Sequence, residues 1–192
     1  MTAAMSEHPP VDGWTAEDLE RFPEDNVRRE LLDGVLLVSP SPSRIHQTLA
    51  ARLVVALEDF CPPDQAVTQN VDVRFSERRS FAPDVLVITA AAADRASRLY
   101  EPHELILAAE IVSPTSVGMD RITKPAIYAG AGIPYFWRIE TEGGIAVHVH
   151  RLDAVSEAYQ LIGSFRDVIE LDEPWNIEIP ISRLTPTQFK KG

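Results

Sequence analysis

The sequence predicts one α/β or α+β domain, with a mixed β-sheet flanked by helices and extended by β-hairpins. Three observations predict it. Apolar runs of roughly four to eight residues recur along the chain, some alternating with polar residues and some continuous, as in half-buried and fully buried strands. Stretches with helical spacing of apolar residues stand between them. And 192 residues, 45% of them hydrophobic, suffice for one real core and are few for two.

Residues 1–12 carry Pro9 and Pro10 among small and polar residues and read as a flexible lead-in. The domain proper is expected over 13–187, with 188–192 as a tail. Thr15 is a candidate N-cap, with Asp18 completing a capping box, for a short helix reaching Phe22 and stopped by Pro23. Asp33-Gly34, between apolar stretches inside Arg28 to Val38, signals a hairpin. Ser43 can cap a helix carrying Ile45, Leu49, Leu53, Ala56 and Leu57, which Cys61-Pro62-Pro63 ends.

The period then changes. Val67, Gln69, Val71, Val73 and Phe75 mark one face of a strand, and Val85 to Ile88 is a short buried-type run. Leu105 to Val112 is a second such run, with Glu110 near its end. Ser113-Pro114-Thr115-Ser116 breaks it, and a helix follows from Asp120 or Thr123 to Gly130, where Gly130-Ala131-Gly132 forms a C-terminal stop. Ile133 to Ile139 is strand-like, Gly143-Gly144 turns, and Ile145, Val147 and Val149 alternate as the hairpin partner. Tyr159 to Ile162, Val168 to Leu171 and Trp175 to Ile179 supply further short strands.

Charge and composition narrow the function. Lys plus Arg total 18 against 29 Asp plus Glu, a net of -11, which is unlike a protein that coats nucleic acid through its cations. No apolar run approaches the roughly 18 residues of a membrane span, and Met1 to Pro10 lacks the basic and apolar regions of an export signal. The single cysteine, Cys61, excludes an intramolecular disulfide and fits a reducing, cytoplasmic setting. Beside Pro62-Pro63, with no basic neighbour, it is not a credible nucleophile. The cations are 15 Arg and 3 Lys, and Lys190 and Lys191 lie in the tail, so Lys124 is the one lysine of the body.

Two carboxylates stand where a core would normally refuse them. Asp84 follows Pro83 and opens the Val85 to Ile88 run; Glu110 closes Leu105 to Ala109 and precedes Ile111-Val112. A bare carboxylate beside buried strands is costly unless it is paired, hydrogen-bonded or bound to a metal. Two acids at the ends of neighbouring strands would form a hard oxygen site suited to Mg²⁺ or Mn²⁺. Lys124, 14 residues after Glu110, could reach back to them with a compact, deprotonatable ammonium. Phosphodiester hydrolysis needs such a set: an ion to acidify water and neutralise phosphate charge, and a cation to steady the attack.

Plainer readings stand beside these. Asp84 could be a strand-end cap, Glu30 an exposed hairpin residue and His46 a helix-face histidine. Lys124 could pair with Asp120, four residues earlier on one helix face. If Thr123 is the N-cap, Pro125 fits the first turn, Asp120 lies outside the helix and Lys124 faces the site. Tyr128, Tyr135, Phe136 and Trp137 fit a core better than a base-stacking platform.

The chain resembles the PD-(D/E)xK nuclease superfamily and, within it, the Uma-type family of restriction-endonuclease-like proteins. The stretches that carry the resemblance are GWTAEDLERFP, RRELLDGVLLVSPSPSRIHQ, APDVLVI, EIVSPTS, DRITKPAIYAGAGIPYFWRI and the closing strands, from about Gly13 to Leu184. It implies a restriction-endonuclease-like core and a Mg- or Mn-dependent endonuclease acting on DNA without a small-molecule cofactor. Asp84 and Glu110 match the metal-binding acids, with the carbonyl of Ile111 as a third ligand. The superfamily's plain lysine position is Val112 here; in the Uma-type pattern the lysine moves to the next helix, which fits Lys124. Glu30 matches an N-terminal acid of the active site, serving metal-bound water or a second ion. His46 matches a family position after the Ser-Pro-Ser-Pro loop, on the substrate side.

The resemblance also implies pairing of copies, and the apolar strands near Trp137 or Trp175 could supply an isologous face. Arg28-Arg29, Arg78-Arg79 and Arg95 to Arg98 could form a local phosphate track. The alternative is a catalytically silent nuclease-fold domain that binds protein or nucleic acid.

Overall fold

Two sheets and a two-stranded ribbon organise the computed structural model, which describes residues 10–187 other than 24, 26, 40 and 96–98. Most of the expected lead-in, Arg98 and the tail 188–192 lie outside the described residues.

Helix α1 (Ala16–Leu19) starts at a complete capping box between Thr15 and Asp18. Strands β1 (Arg28–Leu32) and β2 (Val35–Ser39) form the expected hairpin. Asp33 and Gly34 both take positive φ, 51° and 82°, which a two-residue hairpin turn of right-handed twist requires. Helix α2 (Arg44–Glu58) begins where the Ser43 side chain accepts from the His46 N–H. The strand expected through Val67 to Phe75 is instead two, β3 (Gln65–Thr68) and β4 (Asp72–Ser76), in different sheets. The reason is Asn70, whose φ of 52° turns the chain between them; asparagine tolerates that region, and strand periodicity does not reveal it.

Next come β5 (Arg79–Phe81), β6 (Val85–Thr89), helix α3 (Ala90–Ala93) and β7 (Leu99–Tyr100). A 3₁₀ turn at Pro102–Glu104 leads into β8 (Leu105–Ile111), and a π-helical turn at Met119–Thr123 runs directly into α4 (Lys124–Gly130). The chain closes with β9 (Tyr135–Glu140), β10 (Ala146–Asp153), β11 (Ala158–Phe165), β12 (Val168–Leu171), β13 (Ile177–Pro180) and α5 (Ile181–Leu184).

The larger sheet has the order β11-β10-β9-β8-β6-β3 and the smaller one β2-β1-β5-β4-β7, while β12 and β13 pair as the ribbon. Both sheets are mixed, through parallel pairs β8 with β9 and β4 with β7. Alternation along the central strands separates two cores. Val85, Val87, Leu107 and Trp137 pack with Leu49, Leu53 and Leu57 of α2. Leu86, Ile88, Ala108 and Phe136 pack with Tyr128 of α4 and with Val73 and Phe81 of the smaller sheet. The six-stranded sheet is therefore a central layer, with α2 on one face and α4 plus the second sheet on the other. Trp137 is fully buried in the first core, so it cannot supply a subunit face. Among the described residues no helix is long and apolar enough to cross a membrane.

Candidate active site

The sheet register brings the two acids together. β6 and β8 are antiparallel with Val85 opposite Ala109, and one step further along that register sets Asp84 opposite Glu110. Period-2 alternation puts both on the face of Leu86 and Ala108, toward α4. The strand ends are tied there, since the Ile111 N–H donates to Asp84 Oδ2 at 2.8 Å. On β1, Arg28 and Glu30 share a face for the same reason and point at the same place. In the helical segment, Asp120, Lys124 and Tyr128 fall four residues apart and line one side.

The result is a buried polar cluster on the wall of a cleft of about 660 Å³. The Lys124 ammonium is 3.0 Å from Glu30 Oε1, 3.1 Å from Glu110 and 3.8 Å from Asp120 Oδ1. Lys124 therefore pairs with Asp120 and also lies against Glu110 of β8 and Glu30 of β1. Asp120 is not outside a helix, because the π-turn already wraps the chain and Thr123 is helical at φ -71° and ψ -53°. Ser116 donates to the Asp120 carboxylate. Tyr128 donates to Glu110 Oε1 at 2.6 Å. Glu30 Oε1 accepts from the Ala82 N–H at 3.2 Å and from Arg28 at 3.1 Å, and Arg28 also donates to Asp84 Oδ1 at 2.9 Å. His46, on the first turn of α2, places Nε2 3.0 Å from Asp84 Oδ2.

The cluster sorts its charges. Burial pushes the Asp84 carboxyl up, but the His46 hydrogen bond and the Arg28 charge prevail and hold it below the usual carboxylate range. Glu30 is likewise lowered, by Lys124 and Arg28 against burial. Glu110 goes the other way: burial, with Asp84 and Asp120 close by, raises it despite Lys124. Asp120 is also raised by burial. Burial favours a neutral Lys124, yet Glu110 and Glu30 outweigh it and raise its pKa. Its acidic neighbours thus favour the charged ammonium over the neutral amine.

Four acidic side chains, Glu30, Asp84, Glu110 and Asp120, stand beside two basic ones, Arg28 and Lys124. Hard carboxylate oxygens fit Mg²⁺ or Mn²⁺ in donor chemistry. The residues that would hold the ion are Asp84 and Glu110, with the main chain at Ile111, which also lines the cleft. Among the described residues no group of three or more His, Cys, Asp or Glu side chains is disposed around an ion position; the expected set has two carboxylates and a backbone oxygen.

Among the described residues the expected phosphate track does not form. Arg28 turns inward to the acids, Arg29 pairs with Asp25 at 2.7 Å and covers the Phe22 ring, and Arg79 pairs with Asp33 at 2.5 Å. Arg78 reaches the Asp33 carbonyl, Arg95 pairs with Glu104, and Arg98 is outside the described residues. Of these arginines only Arg28 lines the cleft among the described residues. The mouth instead carries hydroxyls, among them Ser39, Ser43, Thr115 and Ser116. Arg28 and Tyr128 join the cluster although sequence reasoning placed them elsewhere, and Asp120, set beside Lys124 in the sequence order, joins them. The four-residue spacing of Asp120 and Tyr128 about Lys124 was the signal that could have found two of them.

The sequence profile of the Uma2 family, described as "Putative restriction endonuclease", matches residues 16–182. Among solved structures the chain is similar to one described as a putative nuclease belonging to DUF820 from Anabaena variabilis. The two superpose with a TM-score of 0.69 at 17% identity, over 88% of this chain and 96% of that one, a likeness of fold. Comparison with curated proteins gives no match.

Proposed function

This chain belongs to the Uma2 family, and we propose that it is a metal-dependent endonuclease that hydrolyses phosphodiester bonds of DNA in the cleft of Asp84, Glu110 and Lys124. One observation carries the reading. The only lysine of the body is 3% exposed between Glu30 and Glu110, on the wall of an open cleft. A buried ion cluster is a weak way to stabilise a fold, whereas charge transfer at a phosphate needs opposed charges fixed in a dry place.

Mg²⁺ or Mn²⁺ held by Asp84, Glu110 and the Ile111 carbonyl would supply the Lewis acid that polarises water and neutralises phosphate charge. The chain's own residues do the rest. Lys124 keeps its proton and offers positive charge to the phosphate oxygens as they gain negative charge. Glu30 and Asp120 hold that ammonium from two sides, so it needs no reorganisation during the reaction. Tyr128 and the Ile111 N–H fix the carboxylates of Glu110 and Asp84. His46, between Asp84 and the mouth, is assigned to substrate binding. Cutting both strands of a duplex takes two such clefts, and the reading includes a homodimer. The half-buried free thiol of Cys61 supports a cytoplasmic setting.

The test is cleavage of supercoiled, linear and single-stranded DNA with Mg²⁺ or Mn²⁺, beside Glu110→Ala and Lys124→Ala. Nicking or linearisation that both substitutions remove is the expected result. Cleavage that survives both overturns the site. No cleavage of any substrate, with Mn²⁺ binding unchanged in Asp84→Ala, favours a silent binding domain.

A further inference from the structure

The two cations of the cluster are held differently. Lys124 is 3% exposed and ringed by Glu30, Glu110 and Asp120. Arg28 stands at the first position of β1, with 20% of its side chain exposed. Its Nη1 bonds Asp84 Oδ1, and its Nη2 bonds Glu30 Oε1 and the Ala82 carbonyl, while Nε is buried without a partner. Arg28 therefore has a way out to solvent and one donor unsatisfied where it is; Lys124 is enclosed.

Both oxygens of Asp84 are engaged. Oδ2 takes the Ile111 N–H and His46, and Oδ1 takes Arg28 at 2.9 Å. An ion of this class binds a carboxylate oxygen at about 2.0–2.6 Å. A guanidinium nitrogen still on that oxygen would then sit within about 4 Å of a dication, where like charges repel strongly in a poorly solvated site. Arg28 is the guanidinium on Asp84 and sits on the oxygen, Oδ1, that neither the Ile111 N–H nor His46 takes, so of the groups on Asp84 it is Arg28 that has to move.

We propose that Arg28 is the exchangeable counter-ion of the cleft: it bridges Asp84 and Glu30 while no metal is bound and gives way to the dication, which binds in competition with it. The inference rests on the reading of Asp84 as a metal ligand, and the experiment separates the two.

Calorimetric titration of the whole chain with Mn²⁺ is run on wild type, Arg28→Gln, Arg28→Lys and Asp84→Asn, with melting curves in EDTA and in saturating Mn²⁺. Removing the competitor tightens Mn²⁺ binding by roughly tenfold or more in Arg28→Gln, a factor that corresponds to about 1.4 kcal/mol. Arg28→Lys, which cannot fork between two acids, tightens it less. In EDTA, Arg28→Gln melts below wild type, and Mn²⁺ narrows the gap. Binding in Arg28→Gln that is equal to or weaker than wild type, while Asp84→Asn abolishes it, overturns the exchange and leaves the metal site standing. Binding that persists in Asp84→Asn overturns the metal site itself, and the exchange with it. Should Arg28→Gln fail to fold, Arg28→Lys carries the test, and unchanged or weaker binding there overturns the exchange.

Discussion

The hydroxyl of Tyr128 donates a 2.6 Å hydrogen bond to Glu110 Oε1, and the ring behind that hydroxyl is held by aromatic packing. Phe75 stacks on it at 5.2 Å, and Phe81 and Phe136 meet it edge-on. The orientation of a candidate metal ligand is thereby set by the hydrophobic core, through one side chain of α4. Tyr128→Phe keeps the packing and removes the donor. It should cost about 1–3 kcal/mol, the penalty for leaving a buried acceptor short of a partner, and should slow cleavage. Urea denaturation of the variant checks the first effect, and a plasmid-nicking rate checks the second.

Lys124→Met is more severe, because it leaves Glu30, Glu110 and Asp120 facing one another without their shared cation. Breaking a buried pair from one side costs about 3–5 kcal/mol. The loss should shrink as acid protonates those carboxylates, and denaturation at neutral and acidic pH would show whether it does. Lys124→Arg should not restore cleavage, since a forked guanidinium does not fit a position shaped around one ammonium.

Asp84, Glu110 and Lys124 were legible because each breaks a rule. Two are acids at the ends of apolar runs, and the third is a lysine in a chain that otherwise uses arginine. The structure buries all three. Arg28 was not legible as a partner of Asp84, 56 residues away, because an arginine on a hairpin strand ordinarily faces solvent. Tyr128 looked like core, and it is; its hydroxyl's destination depends on how α4 lies across β8, which helical periodicity does not specify. The division of one alternating stretch between two sheets rests on the backbone of Asn70, which leaves the hydrophobic pattern unchanged.

The metal-free protein should show opposed pH dependences from one cluster. Asp84 is lowered in the folded state, so the unfolded chain binds more protons and stability falls as pH drops through and below the ordinary carboxylate range, about 4. Glu110 is raised, mainly by burial, so the folded state binds more protons and stability falls as pH rises above that range. In EDTA, wild type should therefore lose stability as pH rises from about 4.3. Glu110→Gln, which cannot ionise, should show a shallower slope, the remainder coming from Asp120, which burial also raises. Equal slopes in the two proteins would show that Glu110 is not the group responsible.

With Trp137 excluded as an interface, the edge strand β2 is the better candidate for pairing. It ends the smaller sheet, carries the uncharged sequence Val35-Leu36-Leu37-Val38-Ser39, and leaves Val35 and Val38 each 60% exposed. Edges of this kind usually carry a charge, a proline or a bulge that blocks pairing; none lies within these five residues. A second copy could add its own β2 antiparallel about Leu37, and because Leu37 and Ser39 also line the cleft, the two clefts would open beside the same dyad. That arrangement suits two cuts in one duplex. Val35→Lys should charge the edge and yield a monomer by sedimentation equilibrium, with single-strand nicking kept and double-strand cleavage lost. A wild-type chain that sediments as a monomer at tens of micromolar and still linearises plasmid in one binding event would rule the pairing out.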